Sequence, residues 1–458
     1  MDAPATTPRS LRPRPGDELE LTVDSLAFGG SGVARRDGYV VFVAGGVPGD
    51  RVRAVVGKSK RAYAEARVTE ILAPSPDRVA PQADHPGAPW QVLPYERQLE
   101  IKQAQVDDAL RRIGRLSHYV SEPIVPAEHR WRYRNKLEYS FGSDSGGRLL
   151  CGFHAPGRWD EVVEVKDCRL ASAAANAARE RIARWCRAEG LSAYDRRTGE
   201  GFLRNLVVRE GRRSGQLQAR LVTGPGELDR RALAAAAEPL AGLLWTTTAG
   251  VAETTHGGET ELLAGARHID EQMGGLRLRL SPHAFFQTNT EMAERLYRLV
   301  LDYGEPAGFE RVYDLYCGIG TIGLLFAPRV AEVWGLELVE PAIADAIANA
   351  RLNEIDNARF FAGDVRLALR ELVATAGRPD VLIVDPPRAG LSQKVVRRIV
   401  EAAPKRIVYV SCNPTTLAPN AAQLTEAGYE LRRVRPVDMF PQTPHIECVA
   451  ELVRTAAG

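Results

Sequence analysis

Residues 311–323 decide the fold, and they read Arg311-Val312-Tyr313-Asp314-Leu315-Tyr316-Cys317-Gly318-Ile319-Gly320-Thr321-Ile322-Gly323. The stretch begins as an apolar strand and ends in three glycines at the spacing GxGxxG. This spacing is typical of the loop between a strand and a helix that approaches a bound cofactor. Glycine has no side chain, so the backbone can come close to a ligand. The loop alone does not distinguish NAD, FAD and S-adenosylmethionine.

The residues after this loop alternate between strand and helix patterns. We predict strands over Glu332–Glu337, Asp380–Asp385 and Ile407–Val410, and a helix over Pro341–Asn353. Such alternation indicates a doubly wound parallel sheet, in which ligands bind beyond the carboxyl ends of the strands. We therefore expect a Rossmann-like α/β domain over residues 281–458.

Three carboxylates follow strands of this predicted sheet. Glu337 ends the strand after the glycine loop, at the distance expected for a ligand of ribose hydroxyls. Asp364 ends the next strand and is placed to bind the adenine amino group, although an Asp there is also a common helix N-cap. Asp385 opens the motif Asp385-Pro386-Pro387-Arg388, which is typical of methyltransferases that act on planar, nitrogen-bearing rings. The motif favours S-adenosylmethionine as the cofactor.

Two short stretches near the C-terminus supply a thiol and a further carboxylate. Cys412, in Ser411-Cys412-Asn413-Pro414, follows the predicted strand at 407–410, where open α/β sheets carry out chemistry. Glu447 ends Pro444-His445-Ile446-Glu447. A thiol and a carboxylate suit an enzyme that adds to a pyrimidine ring and later removes a proton from it. For either residue alone, a small buried cysteine or a surface glutamate is the ordinary alternative.

The first part of the chain is predicted to bind RNA. Short strands between turns over residues 16–73 indicate a small OB-like barrel, after a disordered tail at residues 1–15. Residues 74–280 are predicted to form a proline-rich linker and an α+β central domain. If the segment Arg130–Lys136 is a strand, its alternate cations share one face. The cations proposed to contact phosphates are Arg51, Arg53, Lys58, Lys60, Arg61, Arg132, Arg134 and Lys136. The alternative for the barrel cluster is an ordinary solvated face, and the alternative for Arg130–Lys136 is an edge strand protected by charge.

Composition excludes several other classes of protein. Six scattered cysteines without a CxxC pair argue against a disulfide framework and a zinc knuckle, and they indicate a reducing cytoplasm. No apolar run reaches membrane-spanning length, and the first residues lack the apolar core of a secretory signal. A net charge of +2 means that affinity for nucleic acid must come from local patches. We expect a cytoplasmic monomer with no membrane contact and no metal site.

Together these motifs resemble the RNA 5-methyluridine methyltransferases of the uracil-5 type, over nearly the whole chain. The barrel resembles a TRAM domain. The other matching segments are Trp131–Lys136, Ala284–Asn289, Asp314–Gly320, Asp385–Arg388, Ser411–Pro414 and His445–Glu447. A TRAM domain followed by a central domain resembles the ribosomal-RNA branch of the family more than the tRNA branch. The methyltransferase domain is expected to be of class I.

The resemblance implies an enzyme that transfers a methyl group from S-adenosylmethionine to carbon 5 of a uridine in RNA. It implies that Cys412 is the nucleophile and Glu447 the base. The implied cofactor site consists of Gln287, Tyr316, Thr321, Glu337, Asp364 and Asp385. In this chemistry a thiolate adds to carbon 6, which makes carbon 5 nucleophilic, and the base then removes the proton from carbon 5. The target base must leave its stack to reach the thiol.

The chain departs from the resemblance at one site. Many members of the family bind an iron–sulfur cluster through four cysteines, three of them before a Trp-Gln pair. The matching stretch here, Ala83–Gln91, contains no cysteine, and only Cys168 matches the fourth ligand. A cluster is held by four ligands, so none is expected.

Three other functions stay open at this stage. The motif at Asp385 would also suit an N-methylase of a purine in RNA or DNA, which needs no thiol nucleophile. A protein that binds RNA with weak or no catalysis would act through the barrel and the cationic segment. A dehydrogenase would use the glycine loop for NAD. A lack of NAD binding would exclude this alternative.

Overall fold

The computed structural model describes residues 12–250, 255 and 257–455. Most of the tail expected at residues 1–15 lies outside the described residues. By their contacts, the described residues divide into two compact units. One contains the chain up to Ala83 with Ala88–Asp108 and Phe440–His445. The other contains Asp84–Gly87, Ala109–Met439 and the chain from Ile446 onward. The domain limits at residues 73, 280 and 281 stay a proposal.

The first unit is built on a closed five-stranded barrel. Its strands are β1 (Glu18–Leu26), β2 (Gly32–Arg36), β3 (Tyr39–Ala44), β4 (Arg51–Ser59) and β5 (Tyr63–Ala73). They are ordered β1-β2-β3-β5-β4 around the barrel. Buried and exposed residues alternate along β1, so Leu19, Leu21 and Val23 fill the interior. Closure leaves no free strand edge, and the OB-like barrel predicted from the sequence is confirmed.

Helix α1 (Tyr95–Asp108) completes the first unit. The sequence predicts a helix from Glu96 to Ile113. In the structure the α-helix ends at Asp108, and a π-helical turn continues over Ala109–Ile113. None of the helices in the described part of the chain is long and apolar enough to cross a membrane.

The second unit contains a seven-stranded sheet with two helices, followed by a hairpin. The elements are β7 (Lys136–Ser143), β8 (Leu149–Ala155), β9 (Arg158–Glu164), α2 (Ala173–Ala188), β10 (Leu203–Glu210), β11 (Leu217–Thr223), α3 (Arg230–Ala237), β12 (Gly242–Thr247), β13 (Glu259–Gly265), β14 (Ile269–Met273) and β15 (Leu276–Leu280), and β6 (Val120–Ser121) precedes them. The sheet is ordered β13-β12-β11-β10-β7-β8-β9, and β14 pairs with β15. Strand β9 is therefore an edge.

The cationic segment Arg130–Lys136 is not a strand, so its alternate cations are not placed on one face as a strand would place them. Only Lys136 belongs to β7, and Arg132 has a φ of +55°. A positive φ interrupts the alternation of an extended chain. The segment instead bonds along residues 169–171, because the N–H groups of Arg132 and Arg134 donate to the carbonyls of Arg169 and Leu170.

The same unit carries the predicted doubly wound domain. Its elements are α4 (Thr290–Gly304), β16 (Arg311–Leu315), α5 (Thr321–Phe326), β17 (Glu332–Glu337), α6 (Glu340–Leu352), β18 (Ala358–Ala362), α7 (Val365–Ala376), β19 (Val381–Val384), α8 (Gln393–Ala402), β20 (Arg406–Ser411), α9 (Pro414–Glu426), β21 (Tyr429–Val437) and β22 (Glu447–Arg454). The strand order is β18-β17-β16-β19-β20-β22-β21-β6, with β22 antiparallel to both of its neighbours.

The order of strands reverses between β16 and β19. In open α/β sheets this reversal opens a crevice at the carboxyl ends of the strands, where ligands bind. Strands β19 and β20 are almost entirely buried, as their continuous apolar sequences predict. The fold therefore places the ends of β16, β17, β19 and β20 along one crevice.

Candidate functional site

The glycine loop between β16 and α5 leaves the ordinary backbone conformation at three positions. Tyr316 has a φ of +64°, and Gly318 and Gly320 have φ values of +53° and +81°. A tyrosine with positive φ is strained, and such residues cluster at functional sites. Thr321 begins α5 and is buried. The loop thus turns sharply at the edge of the sheet where the crevice lies.

The carboxylate of Glu337 lies against this loop. It accepts hydrogen bonds from the backbone N–H of Gly318 at 3.3 Å and from that of Val339 at 3.0 Å. Glu337 ends β17, which is the neighbour of β16 in the sheet. The structure therefore brings Glu337 and the glycine loop together, although they are far apart in the sequence.

Asp364 follows β18 and caps helix α7. Its side chain accepts a hydrogen bond from the N–H of Arg366 at 2.8 Å and forms an ion pair with the Arg366 guanidinium. The hydrogen bond from Arg366 holds the pKa of Asp364 below its usual value. The capping alternative thus describes what Asp364 does in this structure. Its contact with adenine stays a prediction.

Cys412 lies between the end of β20 and the start of α9. Asn413 is the N-cap of α9, because its side-chain oxygen accepts from the N–H of Thr415 at 3.0 Å. The amide nitrogen of Asn413 also donates to the carbonyl of Arg388 at 3.0 Å. This one side chain therefore starts the helix and ties the cysteine segment to the loop that carries Asp385.

Glu447 lies beside Cys412 because β20 and β22 run antiparallel. Their register pairs Ser411, the last residue of β20, with Cys448, and Cys412 and Glu447 are the next residues on the two segments. The charge of Glu447 acts on the Cys412 thiol, so the two side chains lie near each other. Cys412 is half-buried, whereas the other five cysteines are buried. The structure thus brings together the two side chains that the sequence nominates for catalysis, and it leaves this thiol accessible.

Burial raises the pKa of the three ionisable groups here. The pKa of Cys412 rises to about 11 through burial and the nearby charges of Glu447 and Asp385. Burial, with a contribution from Asp385, raises the pKa of Glu447 well above its usual value. Burial alone raises the pKa of Asp385 to about 7. A carboxylate with such a raised pKa is suited to accept a proton near neutral pH.

Arg388 acts on Cys412 and Glu447, although from the sequence we predict no role for it beyond its place in a motif. Its side chain is exposed. Its positive charge lowers the pKa of both Cys412 and Glu447, against the larger effect of burial. The guanidinium is therefore the group that favours the thiolate at this site.

Tyr297 is a second functional candidate that sequence reasoning missed. It lies on α4 and is buried, and its hydroxyl shares a hydrogen bond with the side chain of Gln287. Burial, reinforced by the charges of Asp385, Asp314 and Glu447, raises its pKa well above the usual value. Tyr297 stands in no recognisable motif, so only the packing of α4 against the sheet reveals it.

Asn135, just before β7, holds the loop that carries Gln287. The amide nitrogen of Asn135 donates to the backbone oxygen of Gln287 and to the hydroxyl of Thr290, each at 2.9 Å. Gln287 and Asn135 are both buried. Asn135, near the end of the cationic segment, is therefore structural and helps to fix the position of Gln287, which is predicted to bind the cofactor.

The five basic residues of the barrel that are predicted to contact phosphates fall into two groups. Arg53 forms ion pairs with Glu20 and Glu70, and the Lys58 ammonium lies 3.6 Å from the Glu65 carboxylate. Within the described residues, no carboxylate pairs with the exposed side chains of Arg51, Lys60 and Arg61. Of the five, these three cations are the ones available to phosphate.

The central cations have carboxylate or backbone partners. One guanidinium nitrogen of Arg132 donates to both carboxylate oxygens of Asp167, at 3.0 and 2.8 Å. Lys136 lies 2.6 Å from Glu138, and burial lowers its pKa. The N–H of Arg134 is engaged by the neighbouring segment, as described above. Contacts of these three residues with RNA stay predictions, and Arg132 and Lys136 would have to exchange carboxylates for phosphates.

Cys168 pairs with His85 in the region that matches the iron–sulfur site. The His85 Nε2 lies 3.0 Å from the Cys168 sulfur, and its Nδ1 accepts from the N–H of Gly87 at 3.0 Å. Because Nδ1 accepts, the proton lies on Nε2, which donates to the sulfur. Burial and the charge of Arg134 lower the pKa of His85 to about 4. Among the described residues, no group of three or more His, Cys, Asp or Glu side chains is arranged to hold a metal ion.

Comparison with known families gives two matches along the chain. The sequence model of the TRAM domain matches residues 12–69. The model described as tRNA (Uracil-5-)-methyltransferase matches residues 268–455. The first match coincides with the barrel, and the second contains the glycine loop, Cys412 and Glu447.

Relatives of similar length support these matches. An uncharacterised RNA methyltransferase from Halalkalibacterium halodurans is 36% identical over 95% of this chain and 97% of its own length. Another from Porphyromonas gingivalis is 38% identical over 95% of this chain and 99% of its own.

Among solved structures, a tRNA (uracil-54, C5)-methyltransferase from Pyrococcus abyssi, in complex with S-adenosyl-L-homocysteine, has a TM-score of 0.78 to this chain. It is 29% identical, and the match covers 95% of this chain and 99% of that one.

Proposed function

Because the chain belongs to the family of S-adenosylmethionine-dependent RNA (uracil-5-)-methyltransferases, we propose that it methylates carbon 5 of an RNA uridine through a covalent adduct with Cys412. The observation that supports the proposal is that the ends of β20 and β22 bring an accessible thiol close to a buried carboxylate. A purine N-methylase would have no use for this pair.

In the proposed reaction Cys412 forms a bond to the base and later releases it, and Glu447 accepts one proton. The thiolate of Cys412 forms a bond to carbon 6, and the electron pair moves through the ring so that carbon 5 becomes nucleophilic. When bound, S-adenosylmethionine supplies the methyl group that carbon 5 takes. Glu447 then accepts the proton of carbon 5, and the bond between sulfur and carbon 6 breaks to restore the ring. The exposed guanidinium of Arg388 favours the thiolate form at the start.

The cofactor is proposed to lie along the loop from Tyr316 to Thr321. Added to Gly318, a side chain would meet no atom within 4 Å, so the loop has open space on the face that a ligand would use. Glu337 would hold the ribose, Asp364 the adenine, and Gln287 and Asp385 the end that carries the methyl group. The assignments of Glu337, Asp364 and Asp385 rest on their places after strands of the sheet, and all four rest on the family resemblance.

The target base must leave its stack, and Phe285 offers a surface to receive it. Its side chain is 69% exposed and lies two residues before the buried Gln287. Aromatic rings stack on extruded bases in enzymes that modify them. We propose that Phe285 stacks on the target uracil while Cys412 attacks.

Two RNA classes are candidates for the substrate. The barrel and central domain favour ribosomal RNA by resemblance, and the likeness to the Pyrococcus abyssi enzyme favours transfer RNA. Mapping 5-methyluridine in total RNA, from cells with and without the gene, decides between them. The six free cysteines support action in the cytoplasm.

The catalytic roles are tested with single and double variants on RNA that lacks the modification. Cys412→Ala should abolish methyl transfer while the affinity for S-adenosyl-L-homocysteine is kept. Glu447→Gln should still methylate but stall before elimination, so it should accumulate a methylated protein–RNA adduct that survives denaturation. The double variant should form none. Cys448→Ala is the thiol control and should stay active.

A 5-fluorouridine substrate gives an independent test, because fluorine cannot leave as a cation. It should trap the adduct on the wild-type enzyme and not on Cys412→Ala. Methyl transfer that survives Cys412→Ala would favour a purine N-methylase. RNA binding by a wild-type protein without any methyl transfer would favour the non-catalytic alternative.

A further inference from the structure

A second cavity lies at the edge of the seven-stranded sheet, and none of its lining residues belongs to the site described above. It has a volume of 210 Å³ and lies between β9 and the loop that leads to β10. Pockets for drug-sized ligands are larger, at about 300–1,000 Å³. The volume therefore suits one ring with the rest of the ligand outside.

An irregularity in β9 exposes the principal aromatic residue of this cavity. His154 pairs with Val162 and Ala155 with Arg158, so the three residues from Trp159 to Glu161 have no partners on β8. Such bulges redirect side chains at sheet edges. The Trp159 side chain is 53% exposed at the cavity.

Two aromatic rings of the cavity, those of Trp159 and Tyr194, each lie against a guanidinium. The Arg196 group lies 5.0 Å from the centroid of the Trp159 ring, and that of Arg204 lies 3.8 Å from the Tyr194 centroid. Rings that pair with arginine in this way also stack on nucleic-acid bases. A planar heterocycle can therefore stack on the exposed part of the Trp159 ring or on the guanidinium that lies against it.

The charges around the cavity favour an anion. Its two carboxylates are already engaged, because Asp160 pairs with Arg158 at 3.0 Å and Asp195 accepts from the N–H of Arg197 at 2.7 Å. The Arg197 guanidinium also pairs with the Asp160 carboxylate, at the longer distance of 3.5 Å. Among the described residues Arg196 has no carboxylate partner, and its contact is the Trp159 ring. Arg196 and Arg197 both lie on an exposed turn, where a phosphate can approach them.

We propose that this cavity binds one unpaired nucleotide of the RNA substrate, other than the uridine that is methylated. The base stacks on Trp159 or Tyr194, and the adjoining phosphate lies against Arg196 and Arg197. A paired base cannot enter, because its faces are covered by neighbouring base pairs. The inference rests on the proposed function only in taking RNA as the ligand.

The test measures binding of full-length variants to a short single-stranded oligoribonucleotide of mixed sequence and to the matching duplex, without cofactor. Stacking on one aromatic side chain is worth enough that Trp159→Ala should weaken single-strand binding by about fivefold or more. Duplex binding should not change, and Trp159→Phe should bind nearly as the wild type does. Arg196→Ala should lower the slope of affinity against salt by about one unit.

Two exposed residues outside the cavity serve as matched controls. Phe309→Ala removes an exposed ring and Arg329→Ala an exposed charge, and neither should alter the preference for the single strand. Photo-crosslinking of the wild type to an oligonucleotide with 4-thiouridine should label the peptide around Trp159. This measurement needs no variant to fold.

Crosslinks that map only elsewhere, or unchanged single-strand binding by Trp159→Ala, would overturn the proposal. A failure of the proposed function is seen separately, as absence of 5-methyluridine formation by the wild type. The binding test also gives the same answer in the Cys412→Ala background, so either idea can fail while the other stands.

Discussion

The reactivity of Cys412 depends on opposing influences at a single side chain. Burial and two carboxylates raise its pKa to about 11, and Arg388 acts in the opposite direction. The thiol form therefore dominates at neutral pH, and the thiolate fraction rises with pH. Because the other five cysteines are buried, an alkylating reagent reports on Cys412 alone.

We expect Arg388→Ala to slow alkylation of Cys412 at every pH below its pKa. Loss of the positive charge destabilises the thiolate, so the pKa rises and the alkaline limb of the rate profile moves to higher pH. The rate at a fixed lower pH should fall by on the order of threefold or more. Iodoacetamide kinetics measure this directly. Arg388→Lys keeps the charge and should stay close to the wild type, and an unshifted profile in Arg388→Ala would contradict the assignment.

At the scale of elements, the loop from β16 to α5 contains two glycines that are constrained for different reasons. A side chain at Gly320 would lie 2.8 Å from the Phe360 ring and 3.0 Å from the Ala346 Cβ, at a φ of +81°. A side chain at Gly318 would meet nothing within 4 Å, at a φ of +53°. Packing within the domain therefore requires a glycine at Gly320, whereas the space beside Gly318 is open to the cofactor that we propose lies there.

We expect Gly320→Ala and Gly318→Ala to fail in different measurements. Gly320→Ala should lower the free energy of unfolding by roughly 1–3 kcal/mol, because the new methyl group overlaps Phe360. Gly318→Ala should lower the free energy of unfolding only through the strain of an alanine in left-handed backbone, about 1–2 kcal/mol at most. It should instead weaken binding of S-adenosyl-L-homocysteine by roughly tenfold or more, since the methyl group fills space beside Glu337. Thermal unfolding and calorimetry separate the two, and equal cofactor affinity in Gly318→Ala and wild type would refute this account.

At the scale of the whole molecule, a net charge of +2 leaves little long-range attraction to RNA. Some of the cations are also unavailable at close range. The barrel cations Arg53 and Lys58 and the central cation Arg132 already face carboxylates. Affinity for the phosphate backbone must therefore come from the few exposed cations that lack such partners.

We expect replacement of Arg51, Lys60 and Arg61 by alanine to weaken binding to all RNAs alike and to flatten the dependence of affinity on salt. Each lost phosphate contact lowers the slope by about 0.7–0.9 units. Replacement of Arg53 and Lys58, which already have carboxylate partners, should change the slope less. Binding titrations over a series of salt concentrations give the slopes. Equal slopes in both variants and in the wild type would show that the barrel cations are only solvated charge.

The class of the fold and most of the site could be predicted because their signals are local. A strand followed by GxGxxG specifies its own turn, so Gly318 and Gly320 could be placed without knowing the rest of the chain. Glu337, Asp385 and Cys412 each follow an apolar strand, and parallel strands end at the same edge of a sheet. Residues at such ends are brought together by the topology alone.

Other features were decided only by tertiary contacts. The sequence by itself determined the barrel, the doubly wound sheet and the residue types at its strand ends, since hydrophobic period and glycine spacing act within a few residues. It did not determine that β22 inserts antiparallel beside β20, which brings Glu447 close to Cys412. Nor did it determine the bond from Tyr297 to Gln287, or which barrel cations find carboxylates. These depend on the packing of distant segments, because a side chain's partner and pKa are set by what surrounds it in space.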